Sequence, residues 1–164
     1  MFDSEITARA IAVLEACRAK GLTVATVESC TGGLVAAALT AIPGSSDVVA
    51  GGLVTYSNAA KSALAGVPAP LIAGHGAVSG PVARAMAEGG RARLASSLAV
   101  SLTGVAGPGG GSEAKPVGLV HFACASPGRT IHREERFGAL SRDEIRRRSV
   151  LVALEMLIEA AQSG

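Results

Sequence analysis

The chain has no tryptophan, one tyrosine and three phenylalanines among its 164 residues. With so few rings to stack on bases, and a formal net charge of only +2, it lacks both the stacking platform and the positive field that draw polyanions, so general nucleic-acid binding is not expected. Charged residues are sparse as well, at 17% where about a quarter is usual. No run of about 18 apolar residues passes without a polar interruption, and Met1 to Glu5 lack the basic-then-apolar pattern of an export signal. A soluble cytoplasmic protein with no membrane partner is therefore expected. The cysteines, Cys17, Cys30 and Cys124, are odd in number and sit in apolar contexts, which suits buried thiols better than disulfides. No cluster of His, Cys and acidic residues has metal-ligand spacing, so neither a metal nor another cofactor is expected.

What is present is small and apolar: Ala, Gly and Val supply much of a 49% hydrophobic content. The length suits one domain, residues 1–164, which on folding removes roughly 70% of its unfolded surface from water. Apolar residues at helical spacing run from 4 to 19, followed by a stop at Gly21. Residues 22–27 read as a buried strand that enters Glu28-Ser29-Cys30-Thr31-Gly32-Gly33, and 34–42 as a buried helix ended by Pro43 and Gly44. A second strand is expected over 47–56 and a short helix over 58–64. Pro68, Pro70, Gly74 and Gly76 read as a loop, and Ser79-Gly80-Pro81 as the cap of a helix reaching about Leu94. Strands over 98–103, 117–125 and 130–137 precede a closing helix from about Ser141. The short Pro127-Gly128 link forces a hairpin, so the expectation is a three-layer α/β/α sandwich on a mixed, mostly parallel sheet of about five strands.

Three segments can carry chemistry. The turn from Glu28 to Gly33 places a hydroxyl between a strand and a helix start, where unpaired backbone N–H groups can hold an anion or a developing oxyanion. Ser29 or Thr31 serving only as a helix cap fits the same residues. Thr103-Gly104-Val105-Ala106-Gly107-Pro108-Gly109-Gly110-Gly111 ends another strand, where ligands of open α/β sheets gather. A flexible turn is the alternative there. The third segment is Tyr56 to Lys61: a serine nucleophile needs a base, and His75, His121 and His132 are less well placed than Lys61. Lys61 acts as a base only if desolvation keeps it neutral; a solvated surface lysine is the other reading.

Taken in order, ESCTGG, PGSS with GGLVTYSNAAK, HGAVS and TGVAGPGGGSEAKPVG resemble the C-terminal domain of the CinA competence/damage-inducible family, over about residues 5–160. The molybdopterin-binding-like domain found elsewhere in that family has no counterpart here. The resemblance implies a nicotinamide-nucleotide amidohydrolase that converts nicotinamide mononucleotide to nicotinic acid mononucleotide and ammonia, with a serine–lysine pair falling on Ser29 and Lys61. Its small-molecule partner would be a pyridine nucleotide; association with further copies is left open. Tyr56 would orient Lys61 or pass a proton to the leaving nitrogen, while Glu28, Cys30, Thr31, Gly32 and Gly33 would shape the turn. Thr103, Gly104, Gly107, Gly109, Gly110 and Gly111 would wall the pocket, and Arg142 and Arg146, at positions resembling family arginines, would meet a phosphate. The chain departs from the family at Gly80, where an acidic residue usually follows HGAVS. An amidase using Cys30, and a non-catalytic nucleotide-binding module tied to competence or DNA damage, are the rival expectations.

Overall fold

The computed structural model describes residues 1–164 and opens with α1 (Ser4–Ala19), whose N-cap Asp3 accepts the Ile6 N–H. Strand β1 (Val24–Glu28), buried throughout, leads through the turn into α2 (Leu34–Thr40) and, after a 3-10 turn at Ser45–Asp47, into β2 (Val49–Val54). Helices α3 (Asn58–Ala65), α4 (Ala69–His75) and α5 (Gly80–Arg93) follow. The chain then runs through β3 (Leu98–Gly104), β4 (Leu119–Ser126), β5 (Arg129–Arg136) and α6 (Arg142–Ser163).

The sheet order is β2-β1-β3-β4-β5. Strand β1 pairs in parallel with both neighbours, whereas β3–β4 and β4–β5 are antiparallel, so the sheet is mixed, with β4 alone running against the other four strands. The Pro127-Gly128 link makes the expected hairpin, with Gly128 at φ +74° and Ser126 opposite Arg129. Helices α1, α2 and α6 cover one face of the sheet and α3, α4 and α5 the other, which gives the three layers. Leu14, Leu39, Leu102, Phe122 and Leu154 fill the larger core, and Val27, Val82 and Met86 centre a smaller one under α5. No helix is long and apolar enough to cross a membrane.

Three expectations are corrected. Residues 69–75 form α4 where a proline- and glycine-marked loop was expected; Pro70 sits in the first turn, where a missing N–H costs nothing, and Gly76 ends the helix. Helix α2 stops at Thr40, before Ile42, and only one side of it is buried, by Val35, Ala38 and Leu39. Strand β2 is confined to 49–54, because residues 45–47 are taken by the 3-10 turn.

This topology fixes where a ligand can sit. From β1 the chain crosses one face through α2 to β2, then returns over the other face through α5 to β3 on the far side of β1. The strand order therefore reverses at β1, and in open α/β sheets the crevice beyond the carboxyl end of such a strand is the ligand position. Ser29 is the first residue past that end.

Candidate active site

Two glycines shape the turn beyond β1. Gly32 has φ +59° and Gly33 φ +106°, conformations that a Cβ disfavours. The Ser29 N–H continues the β1–β3 ladder by donating to Leu102 O at 3.1 Å, which fixes where the side chain starts. Gly32 N–H closes the turn on Ser29 O, so of the amides expected to face an oxyanion this one is spent; those of Thr31 and Gly33 have no main-chain acceptor.

Glu28 secures the turn from below. Fully buried, its Oε1 accepts from Thr31 Oγ1 at 2.7 Å and Val35 N–H at 2.8 Å, and its Oε2 accepts from Ala36 N–H at 3.0 Å. A carboxylate thus satisfies the first orphan amides of α2 while tying Thr31 to the strand. Thr31 is held by Glu28 and does not itself cap the helix. Glu28→Gln puts an NH2 group against a buried N–H donor, and should lower stability by about 1–3 kcal/mol in urea unfolding.

Lys61 is brought in by α3, which is capped by Ser57 through the Ala60 N–H at 3.0 Å and ended by Gly66 in the left-handed region. Its side chain is 1% exposed, so the reading as a solvated surface lysine is wrong. Nζ lies 3.1 Å from Ser29 Oγ and donates to Thr55 O at 2.8 Å. It makes no ion pair, and burial pushes its pKa below the ordinary lysine value. An ammonium here would be desolvated without a counter-charge, which disfavours the charged form, and Nζ has two polar neighbours within hydrogen-bond reach, Thr55 O and Ser29 Oγ. Thr55, fully buried, was missed by sequence reasoning because its contribution is a main-chain carbonyl, which no side-chain pattern reports.

The neighbouring thiol is a different case. Cys30 is buried in the larger core, and its pKa is pushed up to about 11, mainly by desolvation. The reactive thiolate expected at a helix start does not form in such surroundings.

Arg146 donates through Nε to Cys30 O at 3.2 Å and through Nη2 to Thr31 O at 3.3 Å. In a trans peptide the N–H points opposite to the C=O, so holding Cys30 O on one side turns the Thr31 N–H to the other. Arg147 and Arg148, next along α6, pair instead with surface carboxylates. Arg142 donates to Gly107 O at 2.9 Å and to the Tyr56 hydroxyl at 3.2 Å, tying the β2–α3 turn to the glycine-rich loop. Tyr56 is 60% exposed, and its hydrogen bond runs to Arg142 and not to Lys61.

The rest of the glycine loop divides. Thr103 Oγ1 donates to Ala77 O at 2.9 Å, and Gly104 packs its backbone on Val120, so this part is wall. Gly109 and Gly110 stand in open space, and Gly111 lies against Val117 N. None of the four concavities of the chain is lined by Ser29 or Lys61; one of about 370 Å³ shares Leu34 and Arg146 with the rim of the turn. The histidines take no part in the Ser29–Lys61 pair: His121 Nδ1 and His132 Nε2 are 2.9 Å apart and bond each other, and His75 O accepts from Lys115. A Cβ at Gly80 would lie 3.1 Å from His132 Nε2, so that imidazole occupies space a larger residue at position 80 would need.

A family model described as the CinA C-terminal domain matches residues 6–161. A CinA-like protein of Synechococcus sp. (strain RCC307) is 52% identical over 157 residues, covering 95% of this chain and 38% of that protein. One of Gloeobacter violaceus is 56% identical over 138 residues, covering 84% and 32% respectively, so the chain spans about a third of the length of the curated relatives it matches. Among solved structures, competence/damage inducible protein CihA from Agrobacterium tumefaciens superimposes with a TM-score of 0.95 at 48% identity, covering 97% of each chain. A CinA superfamily protein from Klebsiella pneumoniae gives 0.92 at 31% identity, covering 97% of this chain and 99% of that one.

Proposed function

Because the chain belongs to the CinA C-terminal domain family, we propose that it hydrolyses the carboxamide of a nicotinamide nucleotide, taking nicotinamide mononucleotide and water to nicotinic acid mononucleotide and ammonia. The observation that carries this reading is the buried, counter-ion-free Lys61 amine 3.1 Å from the Ser29 hydroxyl.

In this mechanism Ser29 Oγ attacks the carboxamide carbon while the Lys61 amine takes its proton. The tetrahedral oxyanion accepts from the Thr31 and Gly33 amides, which the Arg146 and Glu28 contacts hold in place at no reorganisation cost during the reaction. The intermediate collapses with the proton passing from the Lys61 ammonium to the departing nitrogen, so that ammonia leaves and an ester on Ser29 remains. Water then attacks the ester carbonyl, Lys61 takes the water proton, and the C–O bond to Ser29 breaks as that proton returns to Oγ. Arg142, beside Tyr56 and Gly107, is the guanidinium offered to the nucleotide's phosphate across the open rim. The freedom of Gly109 and Gly110 lets the loop settle on the ribose.

The test is ammonia release across a panel of pyridine carboxamides with and without the 5′-phosphate. We expect kcat/KM for nicotinamide mononucleotide to exceed that for nicotinamide and for the riboside by at least about tenfold, the worth of a charge-assisted phosphate contact. Tight nucleotide binding with no ammonia from any substrate would favour a binding module tied to competence or DNA damage and overturn the amidase reading.

A further inference from the structure

Most arginines of the chain have a visible partner or task. Arg9, Arg18, Arg133, Arg136, Arg147 and Arg148 each meet a carboxylate. Arg93 closes the last carbonyls of α3, at Ala63 and Leu64, and Arg142 and Arg146 serve the turn and loop beside Ser29. Arg84, Arg91 and Arg129, which meet no carboxylate and lie away from the Ser29 turn, line a single concavity of about 400 Å³ between α5 and the β4–β5 hairpin.

That concavity carries an uncompensated charge. Glu88 is its one carboxylate, so three guanidiniums less one carboxylate leaves a local charge of two positive. Although Glu88 stands four residues from Arg84 and three from Arg91 on the same helix, it is within ion-pair reach of neither. Arg84 Nη1 is braced on Thr130 O at 2.7 Å and Arg91 Nε on Ser97 O at 2.9 Å, which anchors each side chain at one N–H and leaves its other N–H groups without a partner in the chain. The Arg129 guanidinium makes no hydrogen bond within the chain. Donors thus approach from a helix on one side and a hairpin on the other, with the Thr130 and Ser126 hydroxyls in the lining. Guanidiniums carried by two different elements suit an anion with several oxygens spread in three dimensions better than a single flat carboxylate.

We propose that this concavity is a second ligand site, for a small phosphate-bearing anion with at least two negative charges. It is separate from the Ser29 turn. Ser126 and Arg129 lie at the hairpin end of β4 and β5, where Ala125 pairs with Ala99 at the start of β3, whereas Ser29 lies beyond Leu102 at the other end of that strand. The inference does not rest on the amidase reading, because its readout is binding.

Isothermal titration of the full chain with inorganic pyrophosphate at constant ionic strength tests it. We expect one saturable site, weakened at least about tenfold in Arg129→Gln and again in Arg91→Gln, with unfolding midpoints unchanged in the exposed Arg129 variant. Orthophosphate should bind more weakly at the same site. Absence of saturable binding, or affinity unaltered by both substitutions, overturns the proposal. So does affinity lost in Arg142→Gln and kept in Arg129→Gln, which would locate the anion beside Ser29.

Discussion

Ser29→Ala removes ammonia release from nicotinamide mononucleotide, with kcat lowered by about 10⁴-fold or more and the fold intact. The serine is 8% exposed and gives up only one oxygen, so alanine leaves the β1–β3 ladder and the Glu28 contacts unchanged. Nothing nearby replaces it. With its thiol pushed up to about 11, Cys30 presents roughly one thiolate in 10⁴ molecules at neutral pH, and that sulfur is buried among core side chains. Cys30→Ala should accordingly keep most of the activity and lose some stability, since it removes packed volume and no reacting group. Ammonia release in a coupled assay, alongside mononucleotide binding by calorimetry, separates the two variants. A Ser29→Ala protein retaining a tenth of wild-type turnover would remove Ser29 as nucleophile.

How much of this site could be read in advance depended on whether each contact is local in sequence. The Ser79 cap of α5, the Pro127-Gly128 hairpin and the glycine pair at 32–33 follow from backbone preferences of single residues, and each appears where expected. Helix α4 was hidden because Pro70 and Gly74 carry opposite meanings in a loop and in a short helix, and only packing of Ile72 on the smaller core decides between them. The burial of Lys61 was equally out of reach. Its local sequence, Asn58 to Leu64, is that of a surface helix, and burial arises only when α3 packs on α5 and β2 and brings Nζ to Ser29 beyond the end of β1. Arg146 shows the same limit: a basic residue at a helix start reads as a solvated or phosphate-binding group, yet its N–H groups are committed to two carbonyls 115 and 116 positions away. The burial of Glu28 is likewise a consequence of α2 starting directly above it.

Lys61→Met is the second large effect, with turnover reduced by about 10²–10⁴-fold, the range a positioned base contributes. Methionine nearly matches the lysine stem in volume, so the main structural loss is one donor to Thr55 O, worth about 1 kcal/mol. The variant should fold. Two pH dependences then distinguish a base from a filler. Because burial lowers the Lys61 pKa from its ordinary value of 10.5, wild-type kcat/KM should rise with pH as the neutral amine accumulates through that lowered pKa, and the variant's residual rate should lack this limb. Stability follows the same sign. Between the folded pKa and 10.5 the unfolded chain holds a proton that the native chain does not, so Lys61 makes unfolding harder as pH rises across that window; below it the full cost of a buried ammonium is present. The stability of wild type relative to Lys61→Met should therefore increase from neutral pH toward pH 10 in urea unfolding. If turnover by the methionine variant stays within a few-fold of wild type, or the two proteins share one pH–rate profile, then the amine facing Ser29 does not carry the proton.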